Sequence, residues 1–312
     1  MSRVLLTGAS GFIGRHCLAL LRSRGHEVHA VSRRPPSGSD FQGAIWHAAD
    51  LLQPAVPAEL VRRANPDFVL HLAWYAVPGK YWDALENQDW LRASLELVAA
   101  CAARASTRLV AAGSCAEYGL TAGECTEEST PPSPSSHYTR AKHALSVRIL
   151  QSVRESALDA AWARVFFLYG PHEDPVRPFP FVIRALLRGE PAPCSEGTQV
   201  LDYLHVEDVA SALVTVLHSG FRGPVNVGSG VSHTLRQVFQ TIGNQIGRAE
   251  LLQFGARPGP TPPHRLWANT RRLNEKLGWS PRYDLSSGLK QTIDWWRAQE
   301  GFADSNSPPN AR

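Results

Sequence analysis

Short, nearly continuous apolar runs recur along the first 170 residues, and segments whose apolar positions have helical spacing lie between them. Continuous runs of this kind are typical of parallel strands that are buried on both faces. The pattern predicts strands at residues 3–7, 26–32, 44–48, 66–73, 107–114 and 161–169. Strands that alternate with helices indicate an α/β fold with a doubly wound parallel sheet, whose ligand lies at the carboxyl ends of the strands.

The first strand runs directly into three glycines, Gly8, Gly11 and Gly14, and then into a helix. A side chain at these positions would block either the tight turn or the approach of backbone N–H groups to a pyrophosphate. The helix that follows supplies free N–H groups and a positive dipole end for phosphates. Because strand, glycine turn and helix occur in this order, the stretch predicts a dinucleotide-binding Rossmann arrangement rather than an ordinary turn.

The end of the second strand decides which nicotinamide cofactor fits. An acidic residue there would accept a hydrogen bond from the 2′-hydroxyl of NAD. This chain has Ser32, Arg33 and Arg34 instead, and arginines suit the 2′-phosphate of NADP. We therefore expect NADP as the preferred cofactor, with NAD as the alternative if the arginines only form a solvated loop.

The pattern becomes less regular and richer in proline after residue 170. We expect residues 1–170 to form the Rossmann domain, with 205–230 returning to it. A smaller, discontinuous α+β domain for the substrate would take 171–204 and 231–300. Residues 301–312 contain few apolar residues and are expected to form a disordered tail.

Composition narrows the class of protein further. The formal net charge of +4 comes from dispersed arginines without a basic block, so nucleic acid is not an expected partner. Five cysteines at irregular spacing indicate neither a disulfide framework nor a zinc site, and no metal is expected. The chain enters a strand almost at once and has no apolar run of ~20 residues, so we expect a cytoplasmic protein without a membrane partner.

Tyr138 and Lys142 are four residues apart near the start of a predicted helix, so their side chains share one face. A phenol has an ordinary pKa of ~10, and a neighbouring ammonium favours its ionised form. The pair can therefore donate and accept a proton near neutral pH. Ser114, at the end of a neighbouring strand, can contact the same carbonyl or alkoxide oxygen. The spacing alone also fits a solvated helix face.

Eight motifs then follow one another in a fixed order. They are Thr7-Gly8-Ala9-Ser10-Gly11-Phe12-Ile13-Gly14, Asp50-Leu51, His71-Leu72-Ala73, Ser114 with Tyr118-Gly119, Tyr138 to Lys142, Tyr169-Gly170-Pro171, Asp202 to Ala210, and Asn226 to Gly230. In this order they resemble the extended short-chain dehydrogenase/reductases, the NAD(P)-dependent nucleotide-sugar epimerase/dehydratase/reductase family. The resemblance covers residues 3–296 and implies a nucleoside diphosphate sugar as partner and a homodimer.

The resemblance also implies roles for individual residues. Tyr138 would be the acid/base, Lys142 would hold the nicotinamide ribose and lower the pKa of the tyrosine, and Ser114 would hydrogen-bond the reacting oxygen. Arg257, in Arg257-Pro258-Gly259, would meet the substrate diphosphate. The other implied cofactor residues line the pyrophosphate, the adenine and the floor beneath the cofactor, and these are Gly8, Ser10, Gly11, Phe12, Ile13, Gly14, Asp50, Leu51, Leu72 and Ala73.

Departures from the family pattern reduce the number of reactions that this chain is expected to catalyse. Ser114-Cys115-Ala116 stands where the dehydratases have Thr-Asp-Glu, so dehydration is disfavoured. Cys115 would be a small packed residue or a base, and a thiol needs an electropositive setting to ionise. His172 would be a remnant acid, a hydrogen-bond donor to substrate, or a loop residue.

Other departures concern the surroundings of the site. Leu201 replaces an arginine of the family, which suggests an altered substrate pocket, and Trp90 replaces a helix asparagine. The aromatic segment 74–82, which begins with Trp74, would contact the sugar and close the site, or only pack against the domain. Asp202 and Asp208 are expected to cap helices.

Together these features favour an NADP-preferring reductase that delivers hydride to C4 of a nucleotide-linked 4-keto-6-deoxy sugar, with Tyr138 as proton donor. An NAD-dependent nucleotide-sugar 4-epimerase is the alternative. A non-catalytic cofactor-binding protein of the same fold is the second alternative.

Overall fold

The structure is a computed structural model that describes residues 1–104, 106–155, 157–262 and 264–301. Its strands are β1 (Arg3–Thr7), β2 (Glu27–Ser32), β3 (Ile45–Ala48), β4 (Phe68–His71), β5 (Arg108–Ser114), β6 (Gly123–Cys125), β7 (Asp159–Val165), β8 (Phe167–Tyr169), β9 (Ala192–Pro193), β10 (Val200–His205), β11 (Gly223–Val227), β12 (Ser232–Thr234), β13 (Leu252–Gln253) and β14 (Arg265–Ala268). Its helices are α1 (Phe12–Ser23), α2 (Val56–Ala64), α3 (Glu86–Ala102), α4 (His137–Arg154), α5 (Pro178–Arg188), α6 (Val206–His218), α7 (Leu235–Ile246) and α8 (Leu285–Gln299).

A parallel seven-stranded sheet, in the order β3-β2-β1-β4-β5-β7-β11, forms the centre of the molecule. Helices α1 and α6 pack together on one face, and α2, α3 and α4 cover the other. Along β1, Val4 and Leu6 belong to the first of these cores and Leu5 to the second. Both faces of the strand are therefore buried, which explains its continuous apolar run. The predicted doubly wound α/β fold is confirmed.

A second, smaller sheet has the order β12-β10-β14-β6, with β8 paired to the other end of β10. Helices α5, α7 and α8 pack around its apolar residues. The prediction of one strand over residues 161–169 is wrong, because β7 ends in the large sheet and β8 begins in the small one. Buried Phe166 lies at the crossing and donates its backbone N–H to the carbonyl of Val227 at 2.9 Å.

We propose that the molecule divides into the two domains expected from the sequence, with residues 1–170 and 205–230 in the first and residues 171–204 and 231–300 in the second. Strand β11 lies at the edge of the large sheet and α6 packs on α1, whereas α5, α7 and α8 share a separate apolar core. Strand β6 joins the small sheet by pairing with β14. The tail expected over residues 301–312 lies, after Gly301, outside the described residues.

Asp202 and Asp208 do not cap helices, so that expectation is wrong. The N-cap of α6 is His205, whose Nδ1 accepts a hydrogen bond from the backbone of Glu207 at 3.4 Å. Asp202 accepts from Ser229 Oγ and from three backbone N–H groups, and so joins β10 to the loop after β11 and to β14. Asp208 accepts from two backbone N–H groups at residues 282 and 283, ahead of α8. Both carboxylates join elements that are distant in sequence.

The five cysteines are free and buried. Within the described ranges, no helix combines the length and the apolar character that crossing a membrane requires. Among the same residues, no cluster of three or more His, Cys, Asp or Glu side chains could hold a metal ion.

Candidate active site

The glycine turn between β1 and α1 has the geometry of a phosphate cradle. Gly8 has a φ of +72°, and its carbonyl accepts the backbone N–H of Gly11 at 3.0 Å. A Cβ at Gly14 would lie 2.0 Å from the Gly8 oxygen, so only glycine fits there. Gly11 caps α1 without a side-chain hydrogen bond, and Phe12 and Ile13 begin the helix. The turn therefore fits a pyrophosphate at a helix N-terminus.

The end of β2 lies beside this turn. Ser10 Oγ donates to Ser32 Oγ at 3.4 Å, and Ser32 Oγ lies 2.9 Å from the carbonyl of Arg34. Arg33 and Arg34 are both exposed. The arginines follow β2 at the carboxyl edge of the sheet, where the adenine-side ribose of a dinucleotide binds in this fold.

Asp50 and Leu51 follow β3 at the same edge of the sheet. Leu51 is buried. Asp50 Oδ1 accepts the backbone N–H of Leu52 at 3.1 Å, so the carboxylate stabilises the turn in which it lies. Their role toward adenine stays a prediction.

His71 at the end of β4 organises the floor of the site. Its Nε2 lies 2.8 Å from Ser94 Oγ, which itself donates to the carbonyl of Trp90, so Nε2 carries the ring proton. Its Nδ1 then accepts from Thr7 Oγ1 at 2.7 Å, and that oxygen accepts the backbone N–H groups of Leu72 and Ala73. Burial lowers the pKa of His71 to about 3, so the ring stays neutral. The histidine supports the floor and is not an acid or a base.

Ser114, Tyr138 and Lys142 come together as predicted from their positions in the sequence. Ser114 ends β5, and Tyr138 and Lys142 lie one turn apart on α4. Ser114 is close enough to the Tyr138 hydroxyl to lower its pKa. Lys142 is buried, donates from Nζ to the carbonyl of Ala112 at 2.8 Å, and lies 3.8 Å from the centre of the Trp74 ring. The three groups can therefore act on one substrate oxygen, which stays a proposal about their roles.

Burial sets the protonation states of the pair. It raises the pKa of Tyr138, although the nearby Ser114 side chain opposes the rise. This direction is opposite to the one we expected from Lys142. Burial also lowers the pKa of Lys142 to about 7, against an opposing effect of Glu117. Tyr138 is consequently protonated at neutral pH and suited to donate a proton.

The aromatic segment 74–82 folds around Tyr138. The ring centres of Tyr81 and Trp82 lie 4.9 and 5.6 Å from that of Tyr138, both nearly perpendicular to it. The backbone N–H of Tyr138 donates to the carbonyl of Trp82 at 3.0 Å. Buried Asn87 accepts from the indole of Trp74 at 2.8 Å and donates to the carbonyl of Tyr81 at 2.7 Å. The segment thus packs against Tyr138, and contact with a sugar stays a prediction for Trp74.

Cys115 and Ala116 follow Ser114 in a short 3₁₀ helix over Cys115–Tyr118. Burial and nearby acidic groups raise the pKa of the Cys115 thiol well above its ordinary value. A buried, protonated thiol packs and does not act as a base. Of the two interpretations of Cys115, the structure favours the packed residue.

The contacts of His172 and Arg257 are with residues other than Ser114, Tyr138 and Lys142. His172 has a φ of +70°, contacts the guanidinium of Arg15 through Nδ1, and has its ring centre 4.6 Å from that of Trp295. Burial and Arg15 lower its pKa to about 4. The Arg257 guanidinium lies 4.4 Å from the centre of the Phe181 ring, on α5. Their contacts with substrate stay predictions.

Sequence reasoning missed several residues of the site. The Arg177 guanidinium lies 5.6 Å from the centre of the Tyr81 ring and acts against the rise that burial causes in the pKa of Tyr81, which brings a cation near Tyr138. Glu117 lies behind Ser114, and the spacing Ser-x-x-Glu is a capping-box signal that could have found it. No local signal marks Asn87 or Arg177, because their partners are distant in the sequence.

Comparisons with known proteins agree with this geometry. The model of the NAD dependent epimerase/dehydratase family matches residues 4–228. The UDP-glucose 4-epimerase of Rhizobium leguminosarum bv. trifolii is 26% identical over 319 residues, which cover 94% of this chain and 96% of that protein. The dTDP-glucose 4,6-dehydratase of Xanthomonas campestris pv. campestris is 28% identical, with 95% and 93% covered. The structure of MoeE5 in complex with UDP-glucuronic acid and NAD is 32% identical, with a TM-score of 0.81 and 95% and 99% covered.

The parallel sheet, the glycine cradle and the tyrosine beside a lysine define a class of Rossmann-fold proteins with a dinucleotide site. The match over most of the chain makes the assignment specific. This chain belongs to the NAD dependent epimerase/dehydratase family, a branch of the extended short-chain dehydrogenase/reductases.

Proposed function

We propose that this protein reduces a nucleotide-linked 4-keto-6-deoxy sugar with NADPH, delivering hydride to C4. The single observation that carries the proposal is the contact of a protonated Tyr138 with Ser114 beside buried Lys142. A tyrosine held in its protonated form is ready to donate to an oxygen that gains negative charge. Removal of water from C5 and C6 would need a further acid and base.

The neighbouring positions do not supply that further pair. Cys115 is buried with a raised pKa, and Ala116 has no ionisable group. His172 contacts Arg15 and Trp295, and its pKa is lowered. One acid/base at one carbon is what a reduction or an oxidation at C4 requires.

The proton transfer follows from the side chains. A bound nicotinamide supplies the hydride, and the C4 oxygen of the sugar becomes negative as the carbonyl is reduced. Tyr138 gives its phenolic proton to this oxygen, which becomes a hydroxyl, and Ser114 holds the same oxygen by a hydrogen bond. The phenolate that remains is stabilised by the Lys142 ammonium and is reprotonated from water before the next turnover.

Arg33 and Arg34 support NADP as the preferred cofactor. They are exposed at the end of β2 beside Ser10, and no acidic residue follows that strand directly. Two guanidinium groups favour a 2′-phosphate over a 2′-hydroxyl. NAD stays possible, since the MoeE5 structure contains NAD.

Arg257 supports a nucleoside diphosphate as the handle of the substrate. Its guanidinium lies over the ring of Phe181 in α5. Arg177, which contacts Tyr81, lies just before the start of the same helix. Arg177 and Arg257 therefore place two cations along α5. Guanidinium groups match phosphate oxygens in geometry and charge. A homodimer and a cytoplasmic location accompany this proposal as predictions.

A 4-epimerase with retained NAD is the second candidate, favoured by the similarity to UDP-glucose 4-epimerase. It would use the same tyrosine to oxidise and re-reduce C4. The two candidates differ in the fate of the cofactor, because an epimerase keeps it and a reductase exchanges it. A non-catalytic cofactor-binding protein is the third candidate.

The test mixes purified protein with NADPH or NADH and a panel of dTDP-, GDP-, CDP- and UDP-linked 4-keto-6-deoxy sugars, and follows the absorbance of the reduced cofactor. We expect oxidation with one nucleotide sugar, lost in Tyr138→Phe. No oxidation, together with NAD released on denaturing the protein, would favour the epimerase. Unchanged activity of Tyr138→Phe would contradict the proposed role of the tyrosine.

A further inference from the structure

A carboxylate lies fully buried behind Ser114. Glu117 has 0% exposure, and its Oε1 accepts the backbone N–H of Ser114 at 2.8 Å. Both of its oxygens accept the indole N–H of Trp162 at 3.1 Å, and Oε2 accepts from Arg164 Nε at 3.2 Å. These bonds connect the catalytic turn to β7.

The niche that holds this carboxylate exists because Gly113 has no side chain. A Cβ at that position would lie 2.4 Å from Trp162 Nε1 and 2.7 Å from Glu117 Oε1. Arg164 is fixed in turn by Tyr118, whose hydroxyl accepts from its guanidinium at 3.0 Å and donates to Asn226 at 2.9 Å. The carboxylate therefore has one geometry, set by β5, β7 and β11.

The same carboxylate acts electrostatically on the reacting groups. Its negative charge raises the pKa of Lys142 and the pKa of Tyr138. Lys142 is also close enough to His71 to lower the pKa of that ring. The titratable or charged groups that face Glu117 and Lys142 from the packed elements are Arg164, Tyr118, Cys115, Tyr138 and His71.

We propose that Glu117 is a positioning residue of this active site, whose buried carboxylate fixes the turn that carries Ser114 and stabilises the ammonium of Lys142. The inference deepens the proposed function and rests on it for its catalytic meaning. Glu117 is not a base in the reaction, because its oxygens are occupied by Ser114, Trp162 and Arg164 and are closed to solvent.

A titration of the lysines by NMR tests the electrostatic part without any substrate. The chain has four lysines, Lys80, Lys142, Lys276 and Lys290, and only Lys142 is buried, so ¹³C-labelled lysine ε-carbons give a simple spectrum. Loss of one resonance in Lys142→Met assigns it. We expect Glu117→Gln, which keeps an acceptor for Ser114 and loses the charge, to lower the pKa of Lys142 by about one unit. An unchanged pKa would overturn the proposal.

Hydrogen exchange at the Ser114 amide tests the positioning part. Glu117→Asp keeps the charge beside Arg164 but is one methylene shorter, so its carboxylate withdraws from the Ser114 N–H. We expect exchange at that amide to become about tenfold faster, with the pKa of Lys142 close to its original value. This variant also decides the proposal if Glu117→Gln does not fold, since an unchanged exchange rate would refute the hydrogen bond.

Asp208→Asn is the matched control, because Asp208 is also buried and its carboxylate also accepts backbone hydrogen bonds, from two N–H groups where Glu117 has one. We expect it to lower the melting temperature and to leave both the Lys142 pKa and the Ser114 exchange rate unchanged. A shift of the Lys142 pKa in this control would show that any buried charge has the effect, and would contradict a specific role for Glu117.

Once a substrate is known, the pH profile of kcat gives a further test. In the reductive direction both Lys142 and Tyr138 must be protonated, and Glu117 raises the pKa of each. Glu117→Gln removes this negative charge and therefore moves the alkaline limb of the profile to lower pH, whether Lys142 or Tyr138 causes that limb. If no substrate is found, the proposed function is contradicted but the positioning role of Glu117 is not, because the NMR and exchange measurements need no substrate.

Discussion

Burial of Lys142 costs the protein stability, and the proposed role of this lysine explains why the residue is present. The side chain is 5% exposed and makes one hydrogen bond, to Ala112. Burial lowers its pKa from 10.5 in the unfolded chain to about 7. The protonated form is therefore disfavoured in the folded protein, which a purely structural residue at this position would avoid.

Replacement of Lys142 by methionine should stabilise the protein while abolishing activity. We expect a gain of about 1–3 kcal/mol in the free energy of unfolding at pH 7. Between about pH 7 and about pH 10 the unfolded chain binds a proton that the folded one lacks, so stability rises with pH in that window, and the variant should lose this slope. Urea unfolding across that pH range measures both the free energy of unfolding and its dependence on pH.

Lys290→Met is the control for this prediction, since Lys290 is exposed and pairs only with Asp294 on its own helix. Its removal should change stability by less than about 0.5 kcal/mol. A destabilised Lys142→Met variant would show that packing and the Trp74 contact outweigh the burial of the charge.

Arg33 and Arg34 carry the preference for NADP in this account. Exchange of both for serine should weaken NADPH binding by about tenfold or more, and NADH binding much less, because charge-assisted hydrogen bonds to the 2′-phosphate are lost. Calorimetric titration with each cofactor measures the two affinities. Arg24→Ser, an exposed arginine just after α1, should change neither. Equal losses for the two cofactors would contradict the assignment.

At the scale of elements, the close approach of α1 to the turn after β1 leaves no room for a side chain at Gly14. Gly14→Ala should abolish cofactor binding and lower the melting temperature, because the new Cβ would lie 2.0 Å from the Gly8 oxygen. Gly38→Ala is the matched control, since its Cβ would meet only the Phe41 ring at 3.8 Å. Cofactor binding by a folded Gly14→Ala protein would disprove the close packing of strand and helix.

The aromatic segment 74–82 depends on Asn87, a buried residue in the first turn of α3 that makes three hydrogen bonds to it and to Ala84. In Asn87→Ala we expect amide exchange in this segment to rise about tenfold while α4 keeps its protection. Exchange followed by mass spectrometry compares it with Asn244→Ala, an exposed position on α7. No change in the segment would mean that the ring contacts around Tyr138 hold it alone.

At the scale of the whole molecule, the sequence predicted what depends on local spacing and on the ends of strands. The buried runs predicted where most of the parallel strands lie along the chain, and the glycines predicted the cradle. Because neighbouring parallel strands end at one edge of the sheet, the sequence alone was enough to group Ser114 with Tyr138 and Lys142. The chain crossing at Phe166 could not be predicted, because one continuous apolar run spans both strands.

Other features arise only from pairing between distant strands. The niche of Glu117 needs Trp162 and Arg164 beside Gly113, and the register of β5 with β7 brings them there. The aromatic segment has no periodicity that fixes where it packs. Burial likewise decided the direction of the Tyr138 pKa shift, and a local rule about a neighbouring ammonium gave the wrong sign.

In the proposed reaction, Tyr138 alone provides the proton for hydride transfer at C4 of a nucleotide sugar. The most direct test is reduction with deuterium-labelled NADPH, followed by mass spectrometry and NMR of the product. We expect one deuterium, at C4, with the rate lowered at least about 10²-fold in Tyr138→Phe. Deuterium at C5 or C6, or an unlabelled product with cofactor that stays bound, would contradict it.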